Sequence, residues 1–204
     1  MPSRLLTLSL AAVVPLLASC TMTVRTPRAV VEPETVVLLS HGRSSSLVLP
    51  SADGRALRYA FGDWRFYALG RKGASDAAGA LLWPTPAAFG RRETERGHDP
   101  MLGLAEHVGI AWDHAFPITV ERSAVDALRA RLESLFEARI ETALFNPGPN
   151  LVFVRPLESY SIVNSSNQKV AVWLEELGCE VRGIRLLSRW RVETPAPAGP
   201  TSSL

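Results

Sequence analysis

Between Ser123 and Ile140 the residues Val125, Leu128, Leu132, Leu135, Phe136 and Ile140 recur at the spacing of one helical face. A stripe of that width cannot stay in water, so whatever else the chain builds must offer this helix an apolar surface. The candidates lie on its N-terminal side. Thr35–Ser40 (TVVLLS), Ser46–Pro50 (SLVLP) and Ala56–Phe61 (ALRYAF) are short β-branched or aromatic runs, the first two joined by a polar HGRSS turn. Downstream, Gly109–Val120, Leu151–Val154, Tyr160–Val163 and Val181–Trp190 are also predicted as strands. A second helix is predicted over Asn167–Leu177, with Val170, Leu174 and Leu177 on one face and Gly178 as its left-handed terminator. Strands, a long helix, a strand, a helix and a strand make an α+β domain with an antiparallel sheet core and two main helices.

Smaller expectations complete the reading. Ser123 to Asp126 has the form of a capping box at the start of the long helix. Ser75–Leu82 is Ala-rich and reads as a short helix stopped at Trp83-Pro84, and the charged segment 90–100 (GRRETERGHDP) reads as an exposed loop. Residues 20–34 are Thr- and Pro-rich, the composition of a tether. The domain proper is expected over 35–192, with 193–204 (TPAPAGPTSSL at its end) a disordered tail.

The first nineteen residues stand apart from the fold. Arg4 precedes an apolar stretch from Leu5 to Leu17, too short to span a bilayer, and Leu17-Ala18-Ser19-Cys20 follows. This is a secretory signal whose ending resembles the bacterial lipobox, in which the cysteine is lipidated and becomes the new N-terminus. Thr21 after that cysteine favours the outer membrane, facing the periplasm, and multiple acyl chains give the stable anchoring that one chain does not. With Cys20 used in this way, Cys179 has no partner within the chain, so a disulfide framework is excluded and a buried thiol is expected. A net charge of +2 is too small to imply a nucleic-acid or polybasic membrane partner, and no nucleic acid is expected.

Chemistry-bearing residues are few. Asn164-Ser165-Ser166-Asn167 sits where a strand-like piece turns into a helix, the position at which unpaired backbone N–H groups can activate a nucleophile or form an oxyanion hole. Ser and Asn are also favoured helix caps, and capping is the simpler use of this elbow. Asp63, after the third strand, is a candidate to orient a group in a cleft, with Trp64 and Tyr67 able to stack on a ligand or to pack in the core. His98, His107 and His114 each neighbour an acidic residue, but their spacing matches no metal motif and they read as surface scatter. Gly-rich phosphate loops, a G-x-S-x-G elbow and Cys-x-x-Cys pairs do not occur, and no cofactor is called for.

Four stretches together resemble a proteobacterial family of lipoproteins of unknown function, sometimes labelled urease-region lipoproteins: LLSHGRSSSLVLP (38–50), FGDWRFY (61–67), ALLWPTPAAF (80–89) and YSIVNSSNQKVAVWLEELG (160–178). The family pattern carries an HG-x-H-T-type turn, a G-D-x-x-F-Y stretch, a W-P segment and an N-x-C-N elbow followed by Trp. Members with that His and Cys resemble circularly permuted papain-like amidases, which implies a cell-wall amidase-like architecture for this domain. This sequence keeps His41 and Gly42 but has Ser44 at the second His position and Ser166 at the Cys position, with Gln168-Lys169 where the Trp follows. The resemblance then implies a catalytically degenerate member, a non-enzymatic envelope protein whose cleft (His41, Ser44, Asp63, Trp64, Ser166, Asn167) holds peptidoglycan or another envelope ligand. The alternatives are an active serine hydrolase or acyltransferase using Ser166 with His41 as base, and a purely structural or assembly lipoprotein with no useful cleft.

Overall fold

The computed structural model describes residues 21–51, 53–71, 84–95 and 112–193. Leu17, Ala18, Ser19 and Cys20, the segment 75–82 with Trp83, residues 96–100, His98, His107 and the tail from 194 lie outside the described residues.

The domain is α+β with an antiparallel sheet core, as the sequence predicts. Its main sheet has eight strands: β2 (Pro33–Ser40), β3 (Ser45–Pro50), β4 (Arg55–Asp63), β5 (Thr85–Glu95), β6 (His114–Glu121), β7 (Leu144–Asn146), β8 (Leu151–Val154) and β9 (Ser159–Tyr160). The order is β6-β2-β3-β4-β5-β8-β7, with β9 paired to β5 off this path. Strict alternation divides the central strands. Val36, Leu38, Leu47, Leu49, Leu57, Tyr59, Phe61 and Phe89 point to one face, where both helices cover them. Val37, Leu39, Val48 and Ala56 point to the other.

Helix α1 (Arg122–Glu137) buries Val125, Leu128, Leu132 and Phe136 against the first face. Leu135 and Ile140 do not join them: they are 44% and 47% exposed, because Ile140 lies beyond the helix end and Phe136 holds the central stripe instead. The capping box is also replaced. Glu121 is the N-cap without a side-chain cap bond; its carboxylate accepts from the amides of Val31 and Glu32 at 2.8 and 3.0 Å. The chain runs from the β6 ladder straight into the helix, so Asp126 is left to pair with Arg129 at 2.7 Å. Glu133 fastens α1 to the sheet, accepting from Tyr59 Oη at 2.6 Å and Arg91 Nε at 2.8 Å.

Helix α2 (Ser166–Glu176) buries Val170, Ala171, Trp173 and Leu174, and Gly178 follows at φ 84°. Trp173 stands edge-on to Phe89, ring centroids 6.1 Å apart.

Four expectations are corrected. The proposed tether begins with a strand: β1 (Met22–Arg25) lies between β10 (Glu180–Arg182) and β11 (Trp190–Glu193) in a second, three-stranded sheet. Met22 and Val24 are wholly buried there, alternating apolar residues that composition alone hides among Thr and Pro. Val181–Trp190 is accordingly two short strands, one on each side of β1, and Glu193 ends β11 rather than opening the tail. Residues 90–95 continue β5, because their charges pair with neighbours: Arg91 with Glu133 on α1 at 2.8 Å, and Glu93 with Arg55 on β4.

Candidate functional site

The β2–β3 hairpin sets the geometry. Ser40 pairs with Ser45 as the last ladder position. His41 N then donates to Ser44 O at 2.9 Å, and only Gly42 and Arg43 remain in the turn. Gly42 takes φ 76° at the first central position, which suits the twist of a two-residue hairpin and is strained for any residue with a Cβ. Two residues of loop leave no slack to re-aim side chains. Ser40 and Ser45 therefore face the helices, while His41, Ser44 and Ser46 face the opposite side, where His41 Nε2 is 2.9 Å from Ser46 Oγ.

On the helix side the elbow is built as a cap. Ser165 is extended (φ −94°, ψ 176°) and its Oγ accepts from Gln168 N at 3.4 Å. Ser166 is the first helical residue and is 3% exposed. Asn167, 1% exposed, reaches back to the hairpin: Oδ1 accepts from Ser45 Oγ at 2.8 Å, and Nδ2 donates to Arg43 O and Leu186 O at 3.2 and 3.3 Å. Behind it Trp190 Nε1 donates to Ser45 Oγ at 2.8 Å, Ser45 and Ser188 hydroxyls are 2.7 Å apart, and Ser40 Oγ donates to Ser188 O at 2.7 Å. Every member of this buried network is a hydroxyl, an amide, an indole or a backbone carbonyl. No imidazole or carboxylate takes part in these bonds, so nothing in them can draw a proton from a serine.

The Gly62–Tyr67 stretch has a local structural purpose. Asp63, 4% exposed, caps a five-residue π-helix (Trp64–Ala68), accepting from Phe66 N at 2.8 Å and from the Thr85 hydroxyl. The Tyr67 ring sits against Gly62: a Cβ there would come within 2.1 Å of it. The stretch thus seats the Tyr67 phenol beside Ser44, and burial pushes that phenol's pKa up, with Ser44 opposing the shift. Burial first, then Tyr67 and Asp63 nearby, push Tyr160 up to about 12. Asp63 is occupied by capping rather than by orienting a ligand. Trp64 is half-buried against the cluster of Ala68, Ala88, Leu151 and Phe153.

A cavity of about 210 Å³ opens beside the β2–β3 hairpin, mostly on the face away from the helices. Its polar walls are His41, Ser44, Ser45, Ser46, Arg58 and Tyr67, and the Gly148–Pro149 turn closes one side. Of the six residues in the predicted cleft, the lining includes His41 and Ser44 but not Asp63, Trp64, Ser166 or Asn167. The predicted cleft is divided between two faces of one sheet.

Arg58 was missed by motif reading. Its signal in the sequence is an arginine inside the apolar run ALRYAF, at a position where alternation places it on the sheet face. It is 1% exposed.

Cys179 is a free thiol, 6% exposed, and burial pushes its pKa up to about 12, the opposite of what a nucleophilic thiol needs. His114 is exposed at the start of β6, its ring 6.0 Å from that of Phe116. Among the described residues no group of three or more His, Cys, Asp or Glu is arranged to hold a metal ion, and no helix is long and apolar enough to cross a membrane. Comparison with protein-family models, curated proteins and solved structures found no significant match.

Proposed function

We propose that this chain is a lipid-anchored cell-envelope protein, carried on Cys20, that binds a small envelope ligand and does not hydrolyse it. The observation that carries the non-catalytic half is the separation of His41 from Ser166. His41 bonds to Ser46 on one face of the hairpin, while the residue after Ser166 bonds to Ser45 on the other. A serine hydroxyl without a base in reach is a poor nucleophile, and the helix start that holds Ser166 is already used for capping and for locking the hairpin. The binding half is supported by the cavity at His41 and Ser44, a concave polar and apolar surface of small-molecule size. The permuted papain-like architecture remains part of this proposal: a helix starting beside a strand hairpin fits it, with the nucleophile and base positions both taken by serine.

The test is fluorophosphonate labelling of the purified chain, with Ser166→Ala as control. No labelling is expected. Labelling that vanishes in the Ser166→Ala variant would establish an activated serine and overturn the reading. Anchoring is tested separately by incorporation of labelled palmitate in a bacterial host, which Cys20→Ser should abolish.

A further inference from the structure

Among the described residues, Arg58 is the one buried charge that the fold does not explain. It sits in the middle of β4, paired in register with Val48 on one side and Arg92 on the other. It is 1% exposed, and it forms part of the cavity wall together with His41, Ser44, Ser46 and Tyr67. Its Nη2 donates to the carbonyl of Pro149, itself a wall of the cavity, while Nε and Nη1 have no hydrogen-bond partner. Among the described residues no carboxylate is paired with it; the charged group that influences it is Arg92, a second cation.

A guanidinium in such a place is costly to the fold, because a buried charge is tolerated when it is paired and hydrogen-bonded. Burial and Arg92 lower its pKa only to about 10, so the charge persists at neutral pH. A neutral residue of similar volume would serve the β4 position better. The other buried charged residue among those described, Asp63, is satisfied by Phe66 N and Thr85, and the half-buried Glu133 holds both Tyr59 and Arg91.

We infer that the cavity is an oxyanion-binding site, with Arg58 as the charge that holds a small carboxylate or phosphate monoester. This rests on the reading that the cavity binds a ligand, and it names the ligand's chemistry. An anionic oxygen entering the cavity competes with a neutral one, the Pro149 carbonyl, and charge-assisted hydrogen bonds are about twice as strong as neutral ones. A small rotation of the guanidinium exchanges that carbonyl for the anion and brings an orphan nitrogen into use, which satisfies the planar fork bidentately. The hydroxyls of Ser44, Ser46 and Tyr67 are positioned on the same cavity to donate to the remaining oxygens, and Ala60, Phe61 and Leu151 give the rest of the ligand an apolar wall. Arg92, beside Arg58 on the same sheet face, adds to the positive potential.

The experiment is a thermal-unfolding titration of the full chain with sodium acetate, sodium benzoate and methyl phosphate, against sodium chloride at equal ionic strength and against neutral acetamide. A ligand that binds only the folded state raises Tm in a saturable way. At least one of the oxyanions should do so, and the arm that responds separates carboxylate from phosphate. Arg58→Met should lose that shift, with affinity weakened at least about tenfold, and in oxyanion-free buffer it should unfold no lower than the wild type. Arg58→Lys, which keeps the charge without the fork, should retain a reduced shift and decides the matter if the methionine variant does not fold. Equal shifts in wild type and variants, or none with any oxyanion at concentrations where acetamide is also silent, would overturn the inference. Stabilisation by acetamide alone would overturn it too, yet leave a binding cavity; serine labelling by fluorophosphonate would instead strike the non-catalytic reading, so the two failures are distinguishable.

Discussion

The Ser45 hydroxyl donates to the Asn167 side-chain carbonyl at 2.8 Å, and this bond ties the start of α2 to the β2–β3 hairpin. Asn167 uses both ends of its amide there, and it is 1% exposed. Asn167→Ala would remove three hydrogen bonds and leave two part-buried backbone carbonyls short of a partner, each costing about 1–3 kcal/mol when unsatisfied. Allowing for relaxation, a total loss of about 3 kcal/mol is expected, or a Tm lower by about 10 °C in a domain of this size. Urea unfolding followed by circular dichroism checks it; an unchanged midpoint would mean the network carries no stability.

The two serines of the elbow should behave differently. Ser165 is the N-cap whose Oγ accepts from Gln168 N, so Ser165→Ala should cost about 1 kcal/mol and Ser165→Asp much less, because an aspartate caps equally well and favours the positive end of the helix. Ser166 is a buried first-turn residue without that duty, so Ser166→Ala should cost less than Ser165→Ala. Reversed effects on the urea midpoint would shift the cap by one residue.

How far these features can be read from the sequence depends on how local their causes are. The α1 stripe at Val125, Leu128, Leu132 and Phe136 and the runs that became β2, β3 and β4 follow from periodicity, which burial enforces. β1 was illegible because its two buried residues, Met22 and Val24, matter only once β10 and β11 arrive from more than 150 residues away in sequence. β5 beyond Gly90 was illegible for a similar reason: Arg91 and Glu93 look like loop charges until Glu133 and Arg55 stand opposite them. At the site, His41 and Ser44 were recognisable, yet their face was not, since a two-residue turn sets it and the sequence allows several loop lengths. Arg58 carries no motif; only its placement in an apolar strand marks it.

Gly62 is a position where packing forbids any side chain. A methyl group there would lie 2.1 Å from the Tyr67 ring, and the ring would have to leave Ser44 to make room. Gly62→Ala should therefore destabilise by about 1–3 kcal/mol, in the range of overpacked cores. It should also weaken any ligand response of the cavity that Tyr67 lines. The combination matters: Tyr67→Phe, which keeps the ring and loses the hydroxyl, should affect the ligand response with a smaller loss of stability. If Gly62→Ala is neutral in urea unfolding, the close seat of Tyr67 on β4 is wrong.

Burial also fixes how the domain responds to alkali. Cys179 is moved by burial from 9.0 to about 12, and Tyr160 from 10.0 to about 12. Tyr59 and Tyr67 are raised as well, burial being the first cause in each. In every case the folded form keeps its proton where the unfolded form has lost it. Stability is then full below the unfolded pKa values, near pH 9, and falls as pH rises from about 9 towards 12. The urea midpoint should decline across that window, with little change between pH 6 and 8 from these groups. Cys179→Ala removes the first of them to titrate, so its midpoint should decline less steeply between pH 9 and 10, where the tyrosines contribute less. A variant with the wild-type slope in that interval would mean the thiol titrates freely in the folded protein, and a thiol reagent would then modify Cys179 without unfolding.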